Sequence, residues 1–152
     1  MKKVVVFGAT GNLGAYIAID LKKHGYQVVA TGHRTSDNGF FASHGIEYVS
    51  VDINDKETFS KLPQEDVYAV AHFAGELPSR YDYQPDKLLN SIILGTLNVL
   101  DYMVKVKAPK IVFPQTPFDL YKYHNTEIAI EADMPREFPL TGDHSVYTIA
   151  KN

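Results

Sequence analysis

The stretch Val4-Val5-Val6-Phe7-Gly8-Ala9-Thr10-Gly11-Asn12-Leu13-Gly14 decides how the rest of the chain is read. Four apolar residues run into a glycine, the pattern of a buried strand giving way to a turn. Over residues 12–24 the apolar Leu13, Ile17 and Leu21 fall four apart and Gly25 follows, which predicts a helix with one apolar face. Between strand and helix lies a loop with glycines at 8, 11 and 14. Gly8 permits a tight turn, Gly11 lets a ligand come close to the backbone, and Gly14 lets the helix lie close on the strand. The helix N-terminus beyond offers unpaired N–H groups and partial positive charge, the environment a phosphate needs. Glycines can simply break a strand, but this motif stands at the first strand–helix junction, where a dinucleotide site requires it. Gly8, Thr10, Gly11, Asn12, Leu13 and Gly14 are therefore assigned to a dinucleotide pyrophosphate.

Outward from that loop, short apolar runs at 27–31, 47–51, 67–73 and 110–113 read as four more strands. A long helix is predicted over residues 86–106. Strands apolar on both faces and separated by helices pair in parallel, with helices covering both sides. Right-handed crossovers then give a doubly wound α/β sheet of about five strands in the order 3-2-1-4-5. Residues 115–143 have no clear period and carry Pro117, Pro135 and Pro139. A loop this long inside a compact domain is functional or poorly ordered.

The chain has 152 residues, 45% of them hydrophobic and 22% charged, and a formal net charge of −3. This suits one globular domain over residues 1–152 and argues against a nucleic-acid binder held by bulk positive charge. There is no cysteine, so disulfides and thiolate chemistry are excluded. Neither a signal peptide nor an apolar run of membrane-spanning length is visible, and a cytoplasmic protein is expected. The six histidines show no metal-ligand spacing, and no metal site is assigned.

The end of the second strand bears on the choice of cofactor. An NAD site commonly places an acid here for the adenosine ribose hydroxyls. This chain has Gly32 at that position, followed by His33 and Arg34. A carboxylate would repel a 2′-phosphate, whereas a guanidinium binds one with two hydrogen bonds. The expectation is NADP rather than NAD.

Taken together with Val51-Asp52-Ile53, Ala71-His72-Phe73-Ala74-Gly75, the helix NSIILGTLNVL at 90–100 and Tyr147-Thr148-Ile149-Ala150-Lys151, the chain resembles an extended short-chain dehydrogenase/reductase. More narrowly, it resembles the N-terminal, cofactor-binding part of the NAD-dependent epimerase/dehydratase family, a Rossmann fold. The resemblance implies that Asp52 and Ile53 meet the adenine, and that Phe73, Ala74 and Gly75, with His72, line the cofactor. It also implies that Asn90 lies beside the cofactor and that Lys151 bonds the nicotinamide ribose. Tyr147 would be the acid/base, Thr116 would orient the substrate oxygen, and a hydroxyl or keto group, as on a nucleotide-linked sugar, would be the substrate. Residues four apart on a helix share a face, so Lys151 is expected to stabilise the Tyr147 phenolate and lower its pKa. Pro117 and Phe118 stand where dehydratase members resemble an Asp-Glu pair, so elimination by that route is not expected. The apolar residues of 86–106 spread over a wide arc, which simple burial or a homodimer face would explain. The chain stops at Asn152, short of the family's substrate-binding part. The isolated chain is expected to turn over little, and a non-catalytic nucleotide-binding or interaction module is the alternative.

Overall fold

A computed structural model describes residues 1–78, 84–138 and 145–152. Pro139, His144 and the end of the 115–143 stretch lie outside the described residues. Strands β1 (Lys3–Phe7), β2 (Gln27–Gly32), β3 (Glu47–Ser50), β4 (Val67–His72) and β5 (Ile111–Val112) form one parallel sheet in the order β3-β2-β1-β4-β5. The expected order is thus the observed one. β1 is central, with Val4 beside Val28 on one side and Val6 beside Ala71 on the other.

Alternation along β1 builds a core on each face of the sheet. Val5 and Phe7 join Val29, Val70, Phe59, Val99 and Tyr102, while Val4 and Val6 join Val28, Ala30, Ala18, Phe41 and Ile46. Each valine, isoleucine or phenylalanine among them contributes about 1.5–3 kcal/mol on burial. Helix α1 (Asn12–Lys23) seats on the second face through Gly14 and Ala18, which are buried. Leu13, expected on the core face, is 57% exposed. The close seat is made by the small residues, and a larger one facing the strand would hold the helix away from it.

Three further departures are seen, the first two with local causes. α2 (Phe40–Ser43) was not expected; it forms because the Asp37 carboxylate accepts from the Phe41 and Gly39 N–H groups at 2.6 and 3.2 Å. β5 spans two residues rather than 110–113, and both are exposed. It is an edge strand bracketed by Pro109 and Pro114, and Pro114 has no N–H to give a ladder. The predicted long helix is continuous but not uniform. It runs as α3 (Pro85–Leu89), a π-helical turn (Asn90–Leu94) and α4 (Gly95–Lys105). Its inner side is fixed by the buried Asn98, whose Nδ2 donates to the Ile53 carbonyl at 2.7 Å, and by Tyr102, whose hydroxyl donates to the Pro63 carbonyl at 2.6 Å. Its outer side leaves Leu89, Ile93, Leu97, Leu100 and Val104 exposed. The last helix, α5 (Ser145–Lys151), packs on α3 and the π-helical turn. Among the described residues no helix is long and apolar enough to cross a membrane.

His72, at the end of β4, is fully buried. Its Nε2 lies 3.0 Å from Thr96 Oγ1, and its ring meets the edge of Phe7 and stacks on Phe113 at 5.1 Å. Burial, helped by the Lys151 charge, holds its pKa down at about 4. A folded-state pKa below the unfolded value means that the unfolded chain binds the extra proton first. The stabilisation by neutral His72 is present above about pH 6.5 and is lost as pH falls toward 4. Between pH 7 and 4 the wild type should lose on the order of 3 kcal/mol more unfolding free energy than His72→Gln. Urea unfolding across that range measures it, and parallel losses in the two proteins would remove His72 as the source.

Candidate cofactor cleft and the tyrosine helix

A cleft of about 730 Å³ opens at the C-terminal ends of the central strands. This is the edge where parallel α/β sheets place ligands. Of the residues assigned from the sequence, Gly8, Thr10, Gly11, His33, Arg34, Asp52, Ile53, Phe73, Ala74 and Gly75 line it together. The wall also includes Val51, from the segment expected at the adenine, and Gly32, at the expected acid position, together with Thr31, Asn54, Glu76, Lys87 and Ser91, which the sequence reading did not assign to a ligand.

The three glycines of the first loop are required for different reasons. Gly8 has φ +76°, and a Cβ there would sit 2.5 Å from the Ala74 nitrogen. Gly14 lies beneath it, and a Cβ there would sit 2.3 Å from the Gly8 carbonyl oxygen. Both are demanded by the fold. Gly11 is not, because its backbone is extended (φ −86°, ψ 163°) and the nearest atom to a Cβ would be 3.4 Å away. Asn12 and Leu13 stand exposed at the first turn of α1, outside the cleft lining.

The β2 end of the cleft is held from below. The Tyr48 hydroxyl lies 2.6 Å from the Arg34 carbonyl and 3.1 Å from that of Gly32, and its ring stacks on Phe41 at 5.9 Å. Burial pushes the Tyr48 phenol up, so it stays a hydrogen-bond donor. The Arg34 side chain is left exposed at the rim. Across the cleft, the Asp52 carboxylate accepts from the Asn54 N–H at 2.9 Å, and Asn98 fixes the adjacent Ile53 carbonyl. Asn90, on the π-helical turn, lines a neighbouring hollow of about 440 Å³ with Asn54, Glu76, Lys87, Ser91 and Leu94 rather than the cleft itself. His72 points into the core and not into the cleft, so it is not the cofactor-wall residue expected; Phe73 to Gly75 form that wall.

Thr116, Tyr147 and Lys151 lie outside the cleft lining. Lys151 is buried, with Nζ 4.4 Å from the centre of the Phe113 ring whose plane stacks on His72. Burial lowers the Lys151 pKa and raises that of Tyr147. The expected lowering of the Tyr147 pKa by Lys151 is therefore not what the structure gives: desolvation acts, and the phenol is the favoured form. Thr116 is buried, and its hydroxyl accepts from the Phe118 N–H at 3.3 Å, capping a short 3₁₀ helix (Pro117–Tyr123).

The sequence reading missed Asp119 altogether. It is fully buried in that 3₁₀ helix and is bound by the Arg136 guanidinium. Arg136 also donates to Asn152 Oδ1 at 3.3 Å, and Asn152 Nδ2 donates to the Thr148 carbonyl at 2.9 Å. The aperiodic loop is thus pinned to the C-terminal end of the tyrosine helix. No local pattern announces a pair 17 residues apart in an irregular segment. Among the described residues no three His, Cys, Asp or Glu side chains converge in a way that would hold a metal ion.

Known proteins agree with this geometry. The family model of the NAD dependent epimerase/dehydratase family matches residues 4–152. A UDP-glucose 4-epimerase of Neisseria meningitidis serogroup C is 28% identical over 122 residues, covering 74% of this chain and 36% of that protein. UDP-glucuronate 4-epimerase 1 of Arabidopsis thaliana is 32% identical over 111 residues, covering 64% and 25%. Among solved structures, the UDP-glucose 4-epimerase of Thermus thermophilus in complex with NAD superposes with a TM-score of 0.74 at 25% identity, over 98% of this chain and 47% of that one. The UDP-glucose 4-epimerase of Stenotrophomonas maltophila, with bound NAD and formylated UDP-arabinopyranose, reaches 0.79 at 24% identity, over 99% and 46%. The chain spans about half the length of these structures, and the match covers between a quarter and just over a third of the two curated relatives. With a family match over nearly its whole length, and with the glycine loop, sheet order and tyrosine helix all in place, the chain belongs to the NAD dependent epimerase/dehydratase family.

Proposed function

We propose that the cleft binds a nicotinamide dinucleotide, NADP in preference to NAD. The protein would use it for hydride transfer on a hydroxyl or keto group, with a nucleotide-linked sugar as the substrate class. The observation that carries this reading is Gly11. No atom of the chain forbids a Cβ there, yet the position lines the cleft beside the N-terminus of α1. Its bareness serves what comes into the cleft, and a pyrophosphate on a helix N-terminus is the chemistry that needs such an approach. Two of the related structures hold NAD. NADP is supported by Gly32 and Arg34 of this chain, since the residues that the end of β2 gives to the cleft include a guanidinium and no carboxylate.

A bound dinucleotide would accept the hydride from a hydroxyl-bearing carbon in its oxidised form, or supply it to a keto carbon in its reduced form. Tyr147 would exchange a proton with the substrate oxygen, and its raised pKa starts it as the acid. Lys151 would hold the cofactor's ribose, and Thr116 would orient the substrate. The second reading, a non-catalytic nucleotide-binding module, is favoured by two observations. The Thr116 hydroxyl already serves the Phe118 N–H, and burial opposes the Tyr147 phenolate. The exposed outer stripe of α4 suits a homodimer face, and we include self-association through residues 86–106 in the proposal.

Gly11→Val should abolish NADPH binding while the melting temperature moves by no more than about 2 °C, since valine accepts that backbone. Arg34→Ala should weaken NADPH by roughly 10- to 100-fold through lost charge-assisted hydrogen bonds, and NADH by less than about threefold. Calorimetric titration of both variants checks this; equal losses for the two cofactors would end the 2′-phosphate assignment.

Tyr147→Phe separates the two readings. A catalytic protein should lose about 100-fold or more in turnover with NADPH binding retained. A module shows no UDP-sugar-dependent turnover in either form. Self-association is read by analytical ultracentrifugation, where Leu97→Glu should convert a dimer to monomer, and a monomeric wild type would refute it.

A further inference from the structure

The glycine loop and the end of β2 meet at a point where neither backbone has slack. The Ala9 N–H donates to the Thr31 carbonyl at 2.8 Å. The Gly32 carbonyl accepts from the Val51 N–H at 2.9 Å and lies 3.1 Å from the Tyr48 hydroxyl. Within this frame, a Cβ on Gly32 would lie 2.6 Å from Thr10 Oγ1, 2.7 Å from Thr10 Cγ2 and 3.2 Å from Thr10 Cβ. A long flexible side chain could swing clear of such a contact, but threonine cannot. It branches at Cβ, so heavy atoms always fill two of its three staggered positions. The added Cβ crowds two of those positions at once, and every rotamer keeps at least one of them occupied.

We infer that Thr10 is a specificity-determining residue of the cleft: its side chain fills the volume that a carboxylate at position 32 would need, and so reserves the ribose edge for a dinucleotide bearing a 2′-phosphate. This rests on the dinucleotide reading above. The two residues form a steric couple. While threonine stands at 10, position 32 must be glycine, and the charge of the ribose edge is left to the Arg34 guanidinium. A carboxylate there would face the 2′-phosphate directly, and its exclusion removes that repulsion.

The test is a double-mutant cycle of wild type, Thr10→Gly, Gly32→Asp and the double variant. Each is followed by thermal melting and by fluorescence titration with NADPH and NADH. Thr10 is not among the residues with positive φ, so glycine is accommodated there. Gly32→Asp alone should melt roughly 5 °C or more below the wild type, as overpacked sites do, and bind neither cofactor. The double variant should melt within about 2 °C of Thr10→Gly and bind NADH at least about 10-fold tighter than NADPH. Thr10→Gly alone should weaken both dinucleotides by a similar factor, since Thr10 itself lines the cleft, and so leave their ratio unchanged while position 32 remains glycine. The couple is refuted if Gly32→Asp melts with the wild type and binds NADH, or if the double variant is as unstable as Gly32→Asp. Should the wild type bind neither dinucleotide, the functional reading and the specificity role both fall. The melting cycle then still decides whether residues 10 and 32 exclude each other.

Discussion

Three segments of backbone meet at the end of β1 with no room between them. Gly8 lies against the Phe73–Ala74 peptide, and Gly14 of α1 lies against the Gly8 carbonyl. A single Cβ at either position would lie closer to backbone than real contacts allow and would force the segments apart, and three features would suffer together. The last pairing of β1 with β4 would open, α1 would lift off the sheet, and the floor of the cleft would lose its shape. The site is thus part of the fold's own packing. The same contact that seats the first helix aims its N-terminus into the cleft.

The sheet was legible in the sequence because its strands carry their own signal. Val4 to Phe7 must be buried on both faces, and only a central parallel strand asks for that. The order followed from crossover handedness, which needs no knowledge of contacts. What stayed hidden was short or non-local. α2 is four residues long and depends on one aspartate cap, so no period could show it. The apolar spacing of α1 pointed to Leu13, but Gly14 and Ala18 make the close contact, and periodicity weighs large side chains over small ones.

The candidate site divides in the same way. The glycine loop could be read because its chemistry is local: three glycines, a strand before and a helix after. The Val51–Ile53 and Phe73–Gly75 walls became readable only through resemblance, since their positions follow from strand ends brought together by the sheet. Asp119 and Arg136 could not be read at all. Their pairing is set by an irregular loop folding back on α5, and a burial that removes a carboxylate wholly from water leaves no trace in composition. Tyr147 and Lys151 gave the right spacing but the wrong electrostatics. Spacing says that two side chains share a helix face, and it says nothing of how much water either one keeps.

The outer edge of β5 has a consequence for the protein's handling in solution. Ile111 and Val112 are both exposed, and among the described residues no strand pairs on their far side. Native sheets usually blunt such an edge with charge, a bulge or a covering segment. Here two prolines confine the strand to two residues, which limits how far an intruding strand could extend its ladder. Shortness therefore limits how much ladder this edge can offer. Lengthening β5, for instance by replacing Pro114 with a β-branched residue, would trade that limit for a longer template and move the chain toward edge-to-edge aggregation.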